Sequence, residues 1–267
     1  MTRVLSGAVL IALTVAVVWF APAPLFLGAA IVVTLAASHE LVDLARARGL
    51  VVSRPLSQLA AALTMTVAAW PAATPFVLTA TLLGAFLALA LAALGSWRGS
   101  PDALAAVSAS LLPSMYLGLP IASLVAIRGN AAGNGGPASL FLLMFTVMVS
   151  DTAQYYTGRA FGRRPLAPAI SPKKTVEGAV GGFVFGALAL AGAGYWWLPG
   201  VHVAMRALLG AAVVALGIAG DLFESMLKRS AGVKDSSSLI PGHGGILDRI
   251  DALLFAAPVY YIVLKYV

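Results

Sequence analysis

Residues 220–254 read GDLFESMLKRSAGVKDSSSLIPGHGGILDRIDALL. The stretch decides the fold because an apolar helical pattern ends in it and another begins, with a polar loop between. Five acids, four strong bases, a serine run and a histidine are set among glycines here, whereas nearly all the rest reads as apolar helix. Ionisable groups beside bilayer-length apolar segments are costly, so such a density marks a functional site.

Asp221, Ser225 and Lys228 follow i, i+4, i+7 spacing, which sets a carboxylate, a hydroxyl and an ammonium on one helix face. Asp248 and Asp251, at i, i+3, share a face at the start of the last helix. Between them, Ser236-Ser237-Ser238 and Pro241-Gly242-His243-Gly244-Gly245 form a loop whose glycines let backbone N–H groups approach an anion. Carboxylates without thiols or paired histidines suit a hard cation such as Mg2+, which keeps waters and bridges to phosphates. Lysine and arginine beside them suit phosphate oxygens. The combination points to Mg2+-assisted phosphoryl or nucleotidyl transfer. Lys228, Arg229 and Lys234 taken singly also fit a plain cytoplasmic loop, and Asp248-Arg249-Asp251 a solvated helix start; a topology signal does not call for acids, serines and a Gly-His-Gly-Gly loop together.

The segment resembles the signature of the phosphatidate cytidylyltransferase (CDP-diacylglycerol synthase) family: Ser225, Lys228-Arg229, Lys234-Asp235, His243-Gly244-Gly245, Asp248-Arg249 and Asp251. The resemblance extends upstream to Ser150-Asp151-Thr152 and to Ile170–Gly178, and so covers roughly the C-terminal half. It implies transfer of CMP from CTP to phosphatidic acid, giving CDP-diacylglycerol and pyrophosphate. On that reading Asp221, Asp248, Lys228, Arg229 and His243 carry the chemistry. Asp221 and Asp248, with Asp151 or Asp251 as further ligands, hold Mg2+, and a second cation stays open. Lys173, Lys174, Lys228 and Arg229 hold the two anionic substrates together, and Ser171, Ser225, Lys234, Ser237, Gly244, Gly245, Arg249 and Asp151 complete the binding set. The resemblance also implies a homodimer.

The chain has 267 residues, 60% hydrophobic and 10% charged, with mean hydropathy +0.95. Soluble domains average about 25% charged residues, so the expected class is an all-α polytopic membrane protein embedded in the lipid bilayer. The absence of cysteine excludes disulfides and thiolate metal sites. Nucleic-acid binding is a poor reading of the +7 net charge, because no basic face with interleaved aromatics accompanies it.

Nine apolar windows of roughly bilayer length follow one another: 4–20, 24–45, 56–70, 75–94, 102–127 (interrupted by Pro113 and Pro120), 137–158, 176–198, 203–227 and 247–266. The first is expected to be retained rather than cleaved as a leader. We divide the chain into N-terminal helices, residues 1–130, and a catalytic region, residues 131–267. Basic residues concentrate after the even-numbered windows: Arg46, Arg48 and Arg54; Arg98; Arg159, Arg163, Arg164, Lys173 and Lys174; and Lys228, Arg229 and Lys234. That bias predicts a cytoplasmic N-terminus and a site facing the cytosol from the inner (cytoplasmic) membrane.

Asp151 lies deep in the sixth window, with Lys173, Lys174 or a metal as its expected partner. Ser171 with Pro172 reads as the cap and start of the seventh helix, putting two lysines at a helix N-terminus. Gly178, Gly182 and Gly186 form a small-residue packing stripe. His39 and Glu40 are expected to be satisfied by Arg46 or interfacial water. The motif of CDP-alcohol phosphotransferases is absent, since Asp221 follows rather than precedes its glycine, and no inverted repeat of the transporter type is visible.

Overall fold

Wherever the sequence runs apolar for a bilayer's width, the chain is helical. The computed structural model describes residues 2–130, 135–240, 242 and 244–266, with side chains from residue 7 onward. Its helices are α1 (Thr2–Phe20), α2 (Ala23–Ala47), α3 (Arg54–Ala69), α4 (Pro75–Ser96), α5 (Ala103–Pro113), α6 (Leu119–Arg128), α7 (Pro137–Phe161), α8 (Val176–Trp197), α9 (Val203–Ser230) and α10 (Leu247–Tyr266). Prolines stand in the first turns of α2, α3, α4 and α7, where the missing N–H has no intrahelical partner to lose.

Among the described residues, five stretches are long and apolar enough to cross a membrane: Ala23–Ala47, Pro75–Ser96, Ala103–Arg128, Val176–Trp197 and Val203–Ser230. Helices α7 and α10 are helical where expected but stand outside that set, each carrying charged residues among its apolar ones. On α4, Phe76, Leu83, Phe86, Leu87, Leu91 and Leu94 are all exposed, a surface that suits hydrocarbon and not water.

The fifth window holds one helix line with a defect. A single π turn, Ser114–Gly118, joins α5 to α6. Pro113 and Pro120 explain it: neither can donate to the i−4 carbonyl, and widening the turn relieves the ring clash. At the end of this turn Gly118 meets α3, where an added Cβ would lie 3.0 Å from the Ala61 carbonyl oxygen and 3.2 Å from Thr64.

The segment between α7 and α8 departs from an all-helical reading. It forms an antiparallel hairpin of β1 (Pro165–Ala167) and β2 (Ser171–Thr175), pairing Pro165 with Thr175 and Ala167 with Ser171. Ser171 therefore opens a strand rather than capping a helix. Thr175 is the cap of α8, its hydroxyl accepting from Gly178 N at 3.1 Å.

The chain divides into two packed units, Met1–Ala126 with Leu227–Arg249, and Ile127–Met226 with Ile250–Val267. In the first, Ala37, Leu41, Val42, Val52, Ala61, Met65, Leu117 and Leu247 are buried. Arg46 donates to the Val52 carbonyl at 3.1 and 3.3 Å, and Asp43 pairs with both Arg54 and His39. These contacts fasten the α2–α3 turn. In the second unit, α8 lies along α7 through the expected glycine stripe. A Cβ on Gly182 would come 2.6 Å from Gln154 Cγ, and one on Gly178 would come 2.8 Å from the Gln154 carbonyl oxygen. Leu142, Leu143, Leu190, Val213, Leu254 and Tyr260 fill the same unit, and the Tyr260 hydroxyl donates to the Ser139 carbonyl at 3.1 Å.

Candidate functional site

After α9 the backbone turns at Gly232 (φ +75°) and runs irregularly to α10. A bridge between Ile240 and Gly244, with Ile240 N donating to Gly244 O at 2.9 Å, pinches the glycine turn. His243, expected to contact phosphate, lies outside the described residues. Gly244 has φ +77°, and a Cβ there would sit 2.6 Å from Asp248 Oδ2. A Cβ on Gly245 would overlap the Ser236 hydroxyl and the Glu40 carboxylate. Both glycines are thus required by close side-chain approach, and at Gly244 by backbone conformation as well.

Asp248 is the acceptor at the centre of this loop. It pairs with Lys228 and takes hydrogen bonds from Gly245 N at 2.8 Å, Ser236 N at 3.0 Å and the Ser236 hydroxyl at 2.8 Å. The side chains of Lys228 and Asp248 are only 10% and 6% exposed. A pair that is this buried persists only with such additional donors, since desolvation otherwise outweighs the attraction.

Glu40 is the residue that sequence reasoning missed. It is buried on α2 at 3% exposure and meets neither Arg46 nor bulk water. Its carboxylate accepts from the Ser236 hydroxyl (2.8 Å), the Ser237 hydroxyl (2.7 Å), Ile246 N (2.9 Å) and Leu247 N (2.8 Å). The last two amides are the N-terminal donors of α10, where a helix favours negative charge. Together with Gly245 N on Asp248, three consecutive amides of the glycine loop are therefore held by the protein's own carboxylates. The expectation that these amides stand open to a substrate anion is corrected accordingly. The available signal was an acid well inside an apolar helix, a feature that points to a partner.

The second unit holds a separate group of site residues. Lys174 pairs with Asp221, whose carboxylate also faces the Ser225 hydroxyl at 3.4 Å, one helical turn on. Asp151, accepting from Gln154 Nε2 at 3.1 Å, is close enough to Asp221 and Lys174 to feel both charges. The hairpin sets this up, because alternation along β2 turns Lys174 inward and leaves Lys173 exposed. Glu177, in the first turn of α8, accepts from Arg163 N (3.0 Å), Arg164 N (3.2 Å) and Arg164 Nε (3.1 Å), tying the hairpin's base.

Arg229, Lys234 and Arg249 are exposed, with Arg229 Nη1 donating to the Val233 carbonyl at 3.1 Å. Asp251 accepts from the adjacent Ala252 N at 2.8 Å. Ser171 is half-buried in β2. Within either unit, no cluster of three or more His, Asp or Glu side chains is assembled for a metal among the described residues.

Fold and site define a helical membrane protein whose polar groups are two lysine–carboxylate pairs, Lys174 with Asp221 and Lys228 with Asp248, and a glycine loop. The chain belongs to the cytidylyltransferase family, whose model matches residues 1–267. It is similar to the phosphatidate cytidylyltransferase of Aquifex aeolicus, 46% identical over 125 residues, which are 47% of this chain and 46% of that one. Its likeness to the Haemophilus influenzae protein of the same name is 48% over 129 residues, 45% of this chain and 44% of the relative. For that of Helicobacter pylori strain J99 it is 35% over 159 residues, 60% and 58%. The chain spans about half the length of the curated relatives it matches.

Proposed function

We propose that the chain is a phosphatidate cytidylyltransferase of the inner (cytoplasmic) membrane. A phosphate oxygen of phosphatidic acid attacks the α-phosphorus of CTP; the new P–O bond forms as the bond to the β-phosphate oxygen breaks, leaving CDP-diacylglycerol and pyrophosphate. The nucleophile is already an anion, so positioning and charge neutralisation matter more than deprotonation. The observation that carries this reading is that two lysines of the family resemblance, Lys174 and Lys228, are each held against a carboxylate, Asp221 and Asp248. Such pairs keep cations in place until a phosphate competes for them.

Mg2+ is the expected cofactor. Asp221, with Asp151 close by, offers hard oxygen donors, and Mg2+ commonly takes one or two protein carboxylates beside waters and substrate phosphates. Asp151 and Asp221 would hold it; Asp248 and Asp251 stand as ligands through the family resemblance. When bound, Mg2+ neutralises triphosphate charge. Lys174 and Lys228 balance the remaining negative charge of the two substrates. A homodimer is the assembly the resemblance implies.

Purified protein given labelled CTP, phosphatidic acid and Mg2+ should form labelled CDP-diacylglycerol and release pyrophosphate. A protein that takes CDP-diacylglycerol as substrate, or forms no lipid-linked cytidine at all, would overturn the reading. Nine spans with a cytoplasmic N-terminus place residues 228–248 in the cytosol. Leu239 is 61% exposed and the chain has no cysteine, so Leu239→Cys reports the side directly. An impermeant maleimide is expected to label it only after the membrane is opened; labelling in intact cells would invert the topology.

A further inference from the structure

We infer that Glu40 is a positioning residue for the reaction: it holds the 236–247 loop, and through it Asp248, in working geometry. Four donors converge on one buried carboxylate, and all four belong to the motif loop or to the first residue of α10. Ser236 links Glu40 to the site. Its hydroxyl lies 2.8 Å from Glu40 Oε2 and 2.8 Å from Asp248 Oδ2, yet it has a single proton to donate. Its backbone N–H remains on Asp248 at 3.0 Å whichever acid takes the hydroxyl proton. Asp248 is thus oriented by a serine and a glycine amide that Glu40 and its partners keep in place. The N-terminal helices thereby contribute to the site through a residue outside the signature.

A merely structural Glu40 makes a different forecast. Replacing a buried charge by a neutral amide relieves desolvation and can even raise stability, so thermal stability alone does not decide. Glu40→Gln keeps the shape but sets an NH2 group against donors, breaking about two of the four hydrogen bonds. Roughly a tenfold to hundredfold fall in kcat is expected, about 1.4–2.8 kcal/mol at 1.4 kcal/mol for each factor of ten. KM for CTP and for phosphatidic acid should stay within about twofold, because the bonds of Glu40 go to the protein's own loop.

The rate arm rests on the cytidylyl-transfer reading, so a second arm is independent of it. In a Leu239→Cys background, maleimide modification of detergent-solubilised protein should be several-fold faster with Glu40→Gln, and intermediate with Glu40→Asp, which retains the charge at shorter reach. Ser237→Ala removes one donor and should move both readouts the same way by less, covering the case in which Glu40→Gln does not fold. If unsubstituted protein transfers no cytidylyl group, the proposed function fails while the labelling arm still decides the role of Glu40. If it is active and Glu40→Gln, or Ser237→Ala where that variant is the one that folds, keeps both kcat and labelling rate, the inference alone is overturned. A change confined to KM would equally overturn it.

Discussion

Asp248→Asn is expected to abolish turnover and also to weaken the fold, and a compensating change should separate the two effects. Lys228 and Asp248 are both buried. Removing the carboxylate charge breaks a buried pair, which costs about 3–5 kcal/mol. Adding Lys228→Gln removes the other half of the pair, so the double variant should recover more than half of the lost stability. It should recover no activity, because the cation of Lys228 and the carboxylate of Asp248 are both gone. Thermal unfolding and initial rates for both singles and the double check this. A double variant as active as the unsubstituted protein would show that the pair only holds the loop to α9.

Lys174→Ala should behave in the opposite sense, with a small effect on stability and a large effect on substrate affinity. Its pair with Asp221 is 23% and 33% exposed, and partly solvated pairs are worth about 0–1 kcal/mol. A charge-assisted contact to phosphate is worth about 1.5–3 kcal/mol, or roughly a tenfold to hundredfold loss in apparent affinity. Lys173, one residue earlier but on the outer side of β2, should change either quantity little when replaced by alanine, within about 0.5 kcal/mol in stability. Titrating CTP and phosphatidic acid against both variants distinguishes them. Equal losses at the two positions would mean that the basic character of the hairpin matters and the inward lysine does not.

Much of the architecture was legible because long apolar windows have few alternatives to helix. The prolines at 113 and 120 flagged an interruption, but not that a single π turn would absorb it within one helix line. The hairpin was not legible: β1 and β2 are short, rich in proline and lysine, and lack the β-branched alternation that marks a strand. In the site, helical spacing placed Ser225 beside Asp221 correctly. Spacing says nothing of partners far apart in sequence, so Lys228 with Asp248 and Lys174 with Asp221 could not be assigned. Glu40 lay furthest out of reach, for its donors lie 196 to 207 residues away and its own helix carries no motif. The glycine loop was read as an open anion receptor because the acids that occupy its amides are invisible to local pattern.

That separation also imposes an order on how the protein is made. At about 5–20 residues per second, the ribosome needs roughly 10–40 seconds after Glu40 to deliver Leu247. Throughout that interval α2 carries an acid whose hydrogen-bond donors do not yet exist, so the first unit stays unfinished until α10 has begun to be made. Its closing step is therefore post-insertional, and a chain stopped after α9 would leave the carboxylate of α2 permanently without its loop.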